Sequence, residues 1–477
     1  MKTLAILLVA AGCVFAATAD EVDRLAMAAR SVPPEFGADV MLRLAAMDGL
    51  PPARRMELIG QAFERASESQ PRYSFRPAFG ASASAGFVSK AYAQNLDALD
   101  LGVRAVEAMS TLDAAKARDL FQKIPALDLP KLKCDSWMAY DVEPYYREMV
   151  SLAGKFSEAE RKSGLLLRFL EPHAGAIHSA VEAGPMAETL GSAPLSDAEL
   201  QALVRAFAGA LGKISGDDRS FSSSNGLGTR IEALAAECSR RKISPLPLLE
   251  GYRLFLVTNL TGARCLDDVQ MAGMAASALA DVAAARRPDN MVSFFNERLL
   301  IPPLQPIQEQ EATPSHLEGT AVGLRGCEDA ACRALTEQYR VVMLAPPAER
   351  SGAEWMARLK KLLAALDQWQ PGKTDAAAHF REKATAYGEL LSVTVGEARQ
   401  AVAFAELDYV LHSRNEAANS IEWFLPLNRL LAWTVLDPAA FAGLREKLRQ
   451  SDDPVVALYS RLEAVVPRRP EQLMRLM

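Results

Sequence analysis

Apolar residues recur every three or four positions along almost the whole chain, the spacing of a single helical face. In SDAELQALVRAFAGALGKI, Ser196 and Glu199 form a capping-box pattern, and Leu200, Leu203, Val204, Phe207, Leu211 and Ile214 fall on one stripe. Ser157 with Glu160 precedes another apolar run. Ser351 with Glu354 precedes a stripe of Met356, Leu359, Leu363, Leu366 and Trp369. Asp437-Pro438 and Asp453-Pro454 each place a cap and a first-turn proline at an expected helix start. Only Arg340 to Leu344 and Leu254 to Val257 resemble strands, and both continue helical patterns. The pattern predicts an all-α chain of many antiparallel helices, either an irregular α-solenoid or stacked helical bundles. No fixed repeat period emerges.

Three stretches break this rhythm. Gln70 to Asn95 has arginine, lysine and aromatic residues but no acid. Ser215 to Gly226 is a polar link, and Ile301 to Gly326 is rich in proline and glycine. They divide the chain into an N-terminal helical region over 20–300 with a sub-boundary at 215–226, a linker over 301–326 and a C-terminal helical region over 327–477. Residues 1–19 read as a leader. Lys2 is followed by an apolar core and by Ala17-Thr18-Ala19, the order of a secretory signal peptide, so the mature chain is expected to start at Asp20. The competing reading takes Ala11-Gly12-Cys13 as a lipobox, with a lipid anchor on Cys13 and an outer-envelope lipoprotein as the result. Either way the protein is expected to be exported, to the periplasm or the extracellular space, with no integral membrane span.

Composition narrows the partners. The net charge is −6, and −7 once Lys2 leaves with the leader, a balance that disfavours nucleic acid. Half of the residues are apolar and 23% are charged, which suits a globular core.

Export changes how the cysteines read. Cys327 and Cys332 are five apart, about 140° around a continuous helix, and could not share a face. Asp329 is a natural N-cap, however, which sets Cys327 before the helix and Cys332 in its first turn, where a disulfide can close. So small a loop contributes about 2 kcal/mol in the chain-entropy model. Two buried free thiols are the alternative. Cys134, Cys238 and Cys265 leave one thiol over. No metal site or cofactor is expected, because no second ligand pair stands at zinc spacing and no histidine is followed by glutamate.

Candidate chemistry is sparse. His178 and Glu182 are four apart, and Asp408, His412 and Glu416 form an i, i+4, i+8 series. Such spacing presents an acid/base pair or ligands on one helical face, and equally describes a solvated polar face. PGKT at 371–374 lacks the first glycine and the preceding strand of a P-loop. Asp218, Ser220 and Ser222 begin like a calcium loop, but Ser223 and Thr229 replace its glycine and glutamate. The best contact candidates are Arg72, Tyr73, Phe75, Arg76 and Phe79, whose residue types are enriched at interfaces. The alternative is that these aromatics fold back over the helices beneath. Two functions follow: a non-catalytic exported scaffold that binds a protein or peptide partner, or an envelope hydrolase or metal-assisted enzyme built on the histidine clusters.

Overall fold

A computed structural model of the chain describes residues 19–77, 86–132, 138–216, 218, 220, 226–261, 265–266, 311–312, 324, 330–370 and 375–468. It is all-α, 72% helical, with about 20 helices packed antiparallel. In chain order the helices are α1 (Ala19–Ala29), α2 (Pro34–Ala45), α3 (Pro52–Ala66), α4 (Phe87–Tyr92), α5 (Ala98–Ser110), α6 (Ala114–Lys123) and α7 (Glu143–Gly154). There follow α8 (Glu158–Lys162), α9 (Leu165–Ala174), α10 (Ala180–Ser192), α11 (Asp197–Leu211), α12 (Leu227–Arg240) and α13 (Leu246–Thr261). Beyond the predicted linker come α14 (Ala330–Met343), α15 (Ala353–Gln368), α16 (Ala376–Val393), α17 (Gly396–His412), α18 (Ser420–Leu436), α19 (Ala442–Arg449) and α20 (Pro454–Val465). Two minute ladders complete the description: Phe75–Pro77 lies antiparallel to Met138–Tyr140, and Cys265–Leu266 parallel to Glu311–Ala312.

The sequence caps hold where the helix starts beside them. Ser157 with Glu160 and Ser196 with Glu199 close capping boxes, and the Asp453 carboxylate accepts from the Val455 and Val456 N–H groups. Two starts differ. α15 begins after Gly352, so Ser351 caps nothing and Glu354 pairs with Arg358 instead. Asp437 closes α18, and the chain turns before α19 begins at Ala442.

Many of the helices pack on a neighbour or on the next but one. α5, α7, α10 and α12 form one row, and α9, α11 and α13 another. The predicted sub-boundary at 215–226 is bridged, since α11 packs on α13 and α10 on α12. The same alternation recurs after the linker, with α15, α17 and α19 in one row and α16, α18 and α20 in the other. Close approach needs glycine at two crossings. A Cβ on Gly37 would stand 2.3 Å from the Ala29 carbonyl oxygen, and one on Gly251 would stand 2.5 Å from that of Ala208.

The first helices meet the last. α1 and α2 pack on α20, and α4 packs on α18. Phe36, fully buried, contacts Phe424, Tyr459 and Trp423 with ring centroids 4.8, 6.1 and 6.3 Å away. Beside this aromatic cluster Asp39 accepts from Arg104 at 2.7 Å and from the Tyr459 hydroxyl at 2.9 Å. Burial alone would raise the Asp39 carboxyl, but Arg104 and Arg43 outweigh it and hold the group below its usual range. Arg43 pairs in turn with Glu463 at 2.9 Å and donates to the Val466 carbonyl at 2.7 Å. The residues before and after the predicted linker therefore share one continuous core.

Asp39→Ala should lower unfolding stability by about 3–5 kcal/mol, the usual result of stripping one partner from a buried ionic network. Far-UV circular dichroism and tryptophan fluorescence should move together in the urea titration that measures it. Glu57→Ala, which removes an exposed partner of Arg54, should cost less than about 1 kcal/mol. Similar losses from the two substitutions would contradict the assignment.

Candidate functional site

The first predicted pair is consumed by architecture. α10 begins at Ala180, so His178 precedes the helix and does not share a face with Glu182. The Glu182 carboxylate accepts from the backbone N–H of Ser179 at 3.0 Å and of His178 at 3.1 Å, and from the Tyr146 hydroxyl at 3.1 Å. Burial raises its pKa, and the His178 and Ser179 N–H groups oppose that shift. The His178 ring accepts the Leu129 N–H at Nε2, 3.1 Å away, which leaves the ring proton on Nδ1 beside the Ala176 carbonyl and Glu182. Next to this cap, Asp218 accepts from the Leu132 N–H and from the hydroxyls of Ser179 and Ser220. The Asp218 and Ser220 pattern is thus a buried clasp for the chain around Leu132.

The second predicted series is divided by the end of its helix. α17 stops at His412, and Glu416 lies in the following turn. The His412 ring takes up the Asp408 carbonyl at 2.6 Å, the Ser413 hydroxyl takes up that of Tyr409 at 2.8 Å, and the Asp408 carboxylate pairs with Lys447. These residues nevertheless line a cavity of about 250 Å³, together with Asp367, Trp369 and Gln370 at the end of α15 and with His379 and Lys383 of α16.

Buried and exposed residues are segregated there. His379, Lys383, Tyr409 and Ser413 are buried, whereas Asp367, Asp408 and His412 are exposed and Glu416 is half-buried. His379 and Lys383, four apart on α16, project from one face of that helix. The Lys383 ammonium donates to the Asp367 carbonyl at 3.3 Å and the Trp369 carbonyl at 3.2 Å, and so caps the C-terminus of α15. It also lies 4.5 Å from the centre of the Tyr409 ring. Burial lowers its pKa, with Asp367 and Glu416 opposing the shift. The His379 ring sits edge-on to Trp369 at 4.5 Å and 3.8 Å from Glu416, and neither ring nitrogen makes a hydrogen bond of normal geometry. Burial and the nearby Lys383 lower its pKa to about 4, the Trp369 carbonyl opposing them. The Tyr409 hydroxyl, with the Ser413 hydroxyl nearby, and Glu416 Oε2 likewise make no hydrogen bond of normal geometry.

No protein-family model, curated protein or solved structure matches this chain. The chemistry must therefore be read from the groups themselves. Imidazole, ammonium and phenol on the floor, and carboxylates on the rim, are hydrogen-bonding groups that an occupant can satisfy. Among the described residues no three His, Cys, Asp or Glu side chains converge to hold a metal ion, and no helix is long and apolar enough to cross a membrane.

The aromatic stretch is turned inward. Tyr73 is buried, its hydroxyl bonded to the Asp128 carbonyl at 3.3 Å, and Phe75 packs on Tyr92 and Tyr140. Arg72 is exposed and donates to the Ala126 carbonyl, while Arg76 lies in the short ladder opposite Ala139. Phe79 lies outside the described residues, as do Cys13, Cys134, Cys327, PGKT at 371–374 and most of 301–326. Cys332 stands buried in the first turn of α14, and Cys238 is a buried free thiol.

His379 was not legible as a site residue, because one histidine beside the buried Phe380 reads as core. Its pKa gives a direct check. Histidine-selective NMR of the five histidines should show His379 neutral until the pH nears about 4. The unfolded chain takes up that proton near 6.5, so this contribution to stability is lost as the pH falls from 6.5 through about 4. A midpoint near 6.5 in the folded protein would refute the buried, unpaired placement.

Proposed function

We propose that this chain is a non-catalytic helical scaffold, exported to the bacterial envelope, that binds a partner through the pocket between α15, α16 and α17. One observation carries the reading: three side chains with unpaired buried polar atoms, His379, Tyr409 and Glu416, meet at a single cavity. A polar atom out of water without a partner costs on the order of 1–3 kcal/mol, which an occupant offering the missing bonds recovers. The inward turn of Tyr73 and Phe75 moves the expected contact from the aromatic stretch to this pocket. Export rests on the leader pattern of residues 1–19. A disulfide between Cys327 and Cys332, the latter buried in the first turn of α14, would suit an oxidising compartment and belongs to the same reading.

The enzyme reading has one observation in its favour, the His379 ring beside Glu416. At 3.8 Å the two are too far apart for a hydrogen bond. An imidazole with a pKa near 4 is also a weak base at neutral pH, and the Ser413 hydroxyl is committed to a backbone carbonyl. Binding without catalysis is the better fit.

The test is a thermal-shift screen of the mature chain against small amines, carboxylic acids, amino acids, sugars and inorganic phosphate, repeated on His379→Ala. At least one class should raise the wild-type melting temperature and lose most of that effect in the variant. Stabilisation that persists unchanged in His379→Ala, or its absence for every class in the wild type, would overturn the proposal.

A further inference from the structure

The pocket carries a direction as well as a polarity. Its buried floor is rich in donors. Lys383 uses two of its three N–H groups on the Asp367 and Trp369 carbonyls, which leaves one. His379, 2% exposed, offers a ring N–H, and the Tyr409 hydroxyl offers a third donor. The rim is acidic, formed by Asp367, Asp408 and Glu416, of which Asp408 already has a cation in Lys447. A simple anion would satisfy the floor but would have to sit among the rim carboxylates. A simple cation would satisfy the rim but would leave the floor donors unpaired beside the Lys383 charge.

We propose that the pocket is a site for a small zwitterion, its carboxylate received by Lys383, His379 and Tyr409 and its ammonium by Glu416 and Asp367. This rests on the binding role argued above and names the ligand class for it. The two ends of the site are set by burial: the donors belong to buried residues and the carboxylates to the half-buried Glu416 and the exposed Asp367, so the occupant's carboxylate enters first. The volume of about 250 Å³ falls below the roughly 300–1,000 Å³ of drug-sized sites. That restricts the occupant to something the size of a free amino acid. Each charge is read by at least one charge-assisted hydrogen bond, so loss of either end should weaken binding about tenfold or more.

The experiment is a histidine-selective NMR titration of the mature chain with L-alanine, L-alaninamide and N-acetyl-L-alanine. L-alanine should shift the His379 signals saturably. L-alaninamide, which lacks the carboxylate, and N-acetyl-L-alanine, which lacks the ammonium, should each bind about tenfold more weakly. In Glu416→Gln, checked for folding by circular dichroism, L-alanine should weaken toward the acetylated form. In Lys383→Met, checked for folding by circular dichroism, L-alanine and L-alaninamide should become equivalent. Equal binding of N-acetyl-L-alanine would reassign the site to a bare carboxylate such as a peptide C-terminus, and equal binding of L-alaninamide to a bare amine; either overturns the zwitterion. If His379 answers a hit from the thermal-shift screen but none of these three, the ligand class fails while the binding role stands. Silence of His379 to every probe and every screened class removes both.

Discussion

A polar side chain taken out of water costs free energy unless it finds a partner, and packing about 20 helices on one another buries many of them. The position of those partners governs the architecture. Asp39 is the clearest case: a carboxylate inside the α2 packing face is kept ionised by Arg104 and bonded to Tyr459, 420 residues away in sequence. With the Phe36 cluster beside it, this node ties the first helices to the last and closes the core. Glu182 and Asp218 meet the same requirement elsewhere, one at a helix start and the other beneath a loop.

The pocket on the C-terminal helices departs from that rule. His379, Tyr409 and Glu416 have buried polar atoms without partners, at a cavity beside the C-terminal ends of α15 and α17, whose last carbonyls do find side-chain donors. Natural chains tolerate such a deficit where binding needs it, at the expense of stability. Rigid support comes from the surroundings: Lys383 fastens α16 to the end of α15, and the buried Arg429–Glu406 pair fastens α18 to α17. A preformed floor of this kind lowers the ordering cost of binding.

Much of the fold was legible in the sequence because helix formation is local. The 3.6-residue period and the caps at Ser157, Ser196 and Asp453 were sufficient for those elements. Glu182 shows where local reading divides. His178 to Glu182 is an i, i+4 pair, yet Ser179-Ala180-Val181-Glu182 is also the spacing of a capping box, and a helix start at Ala180 selects the second. The Asp408 series assumed that α17 continued past His412. That series nevertheless named part of the pocket wall; the floor had no such signal, because α15, α16 and α17 bring it together only after packing. His379 and Lys383 each look ordinary on α16 alone.

The central claim is that His379 is held for a ligand and not for the fold, and its stability effect tests this most directly. His379→Leu, of similar volume, removes a buried imidazole whose nitrogens have no partner. Urea unfolding of the ligand-free chain at neutral pH should show the variant as stable as the parent or more so, by up to about 1 kcal/mol. A loss of about 2 kcal/mol or more would show that the imidazole is a structural member whose bonds hold the helices together, and would contradict the account.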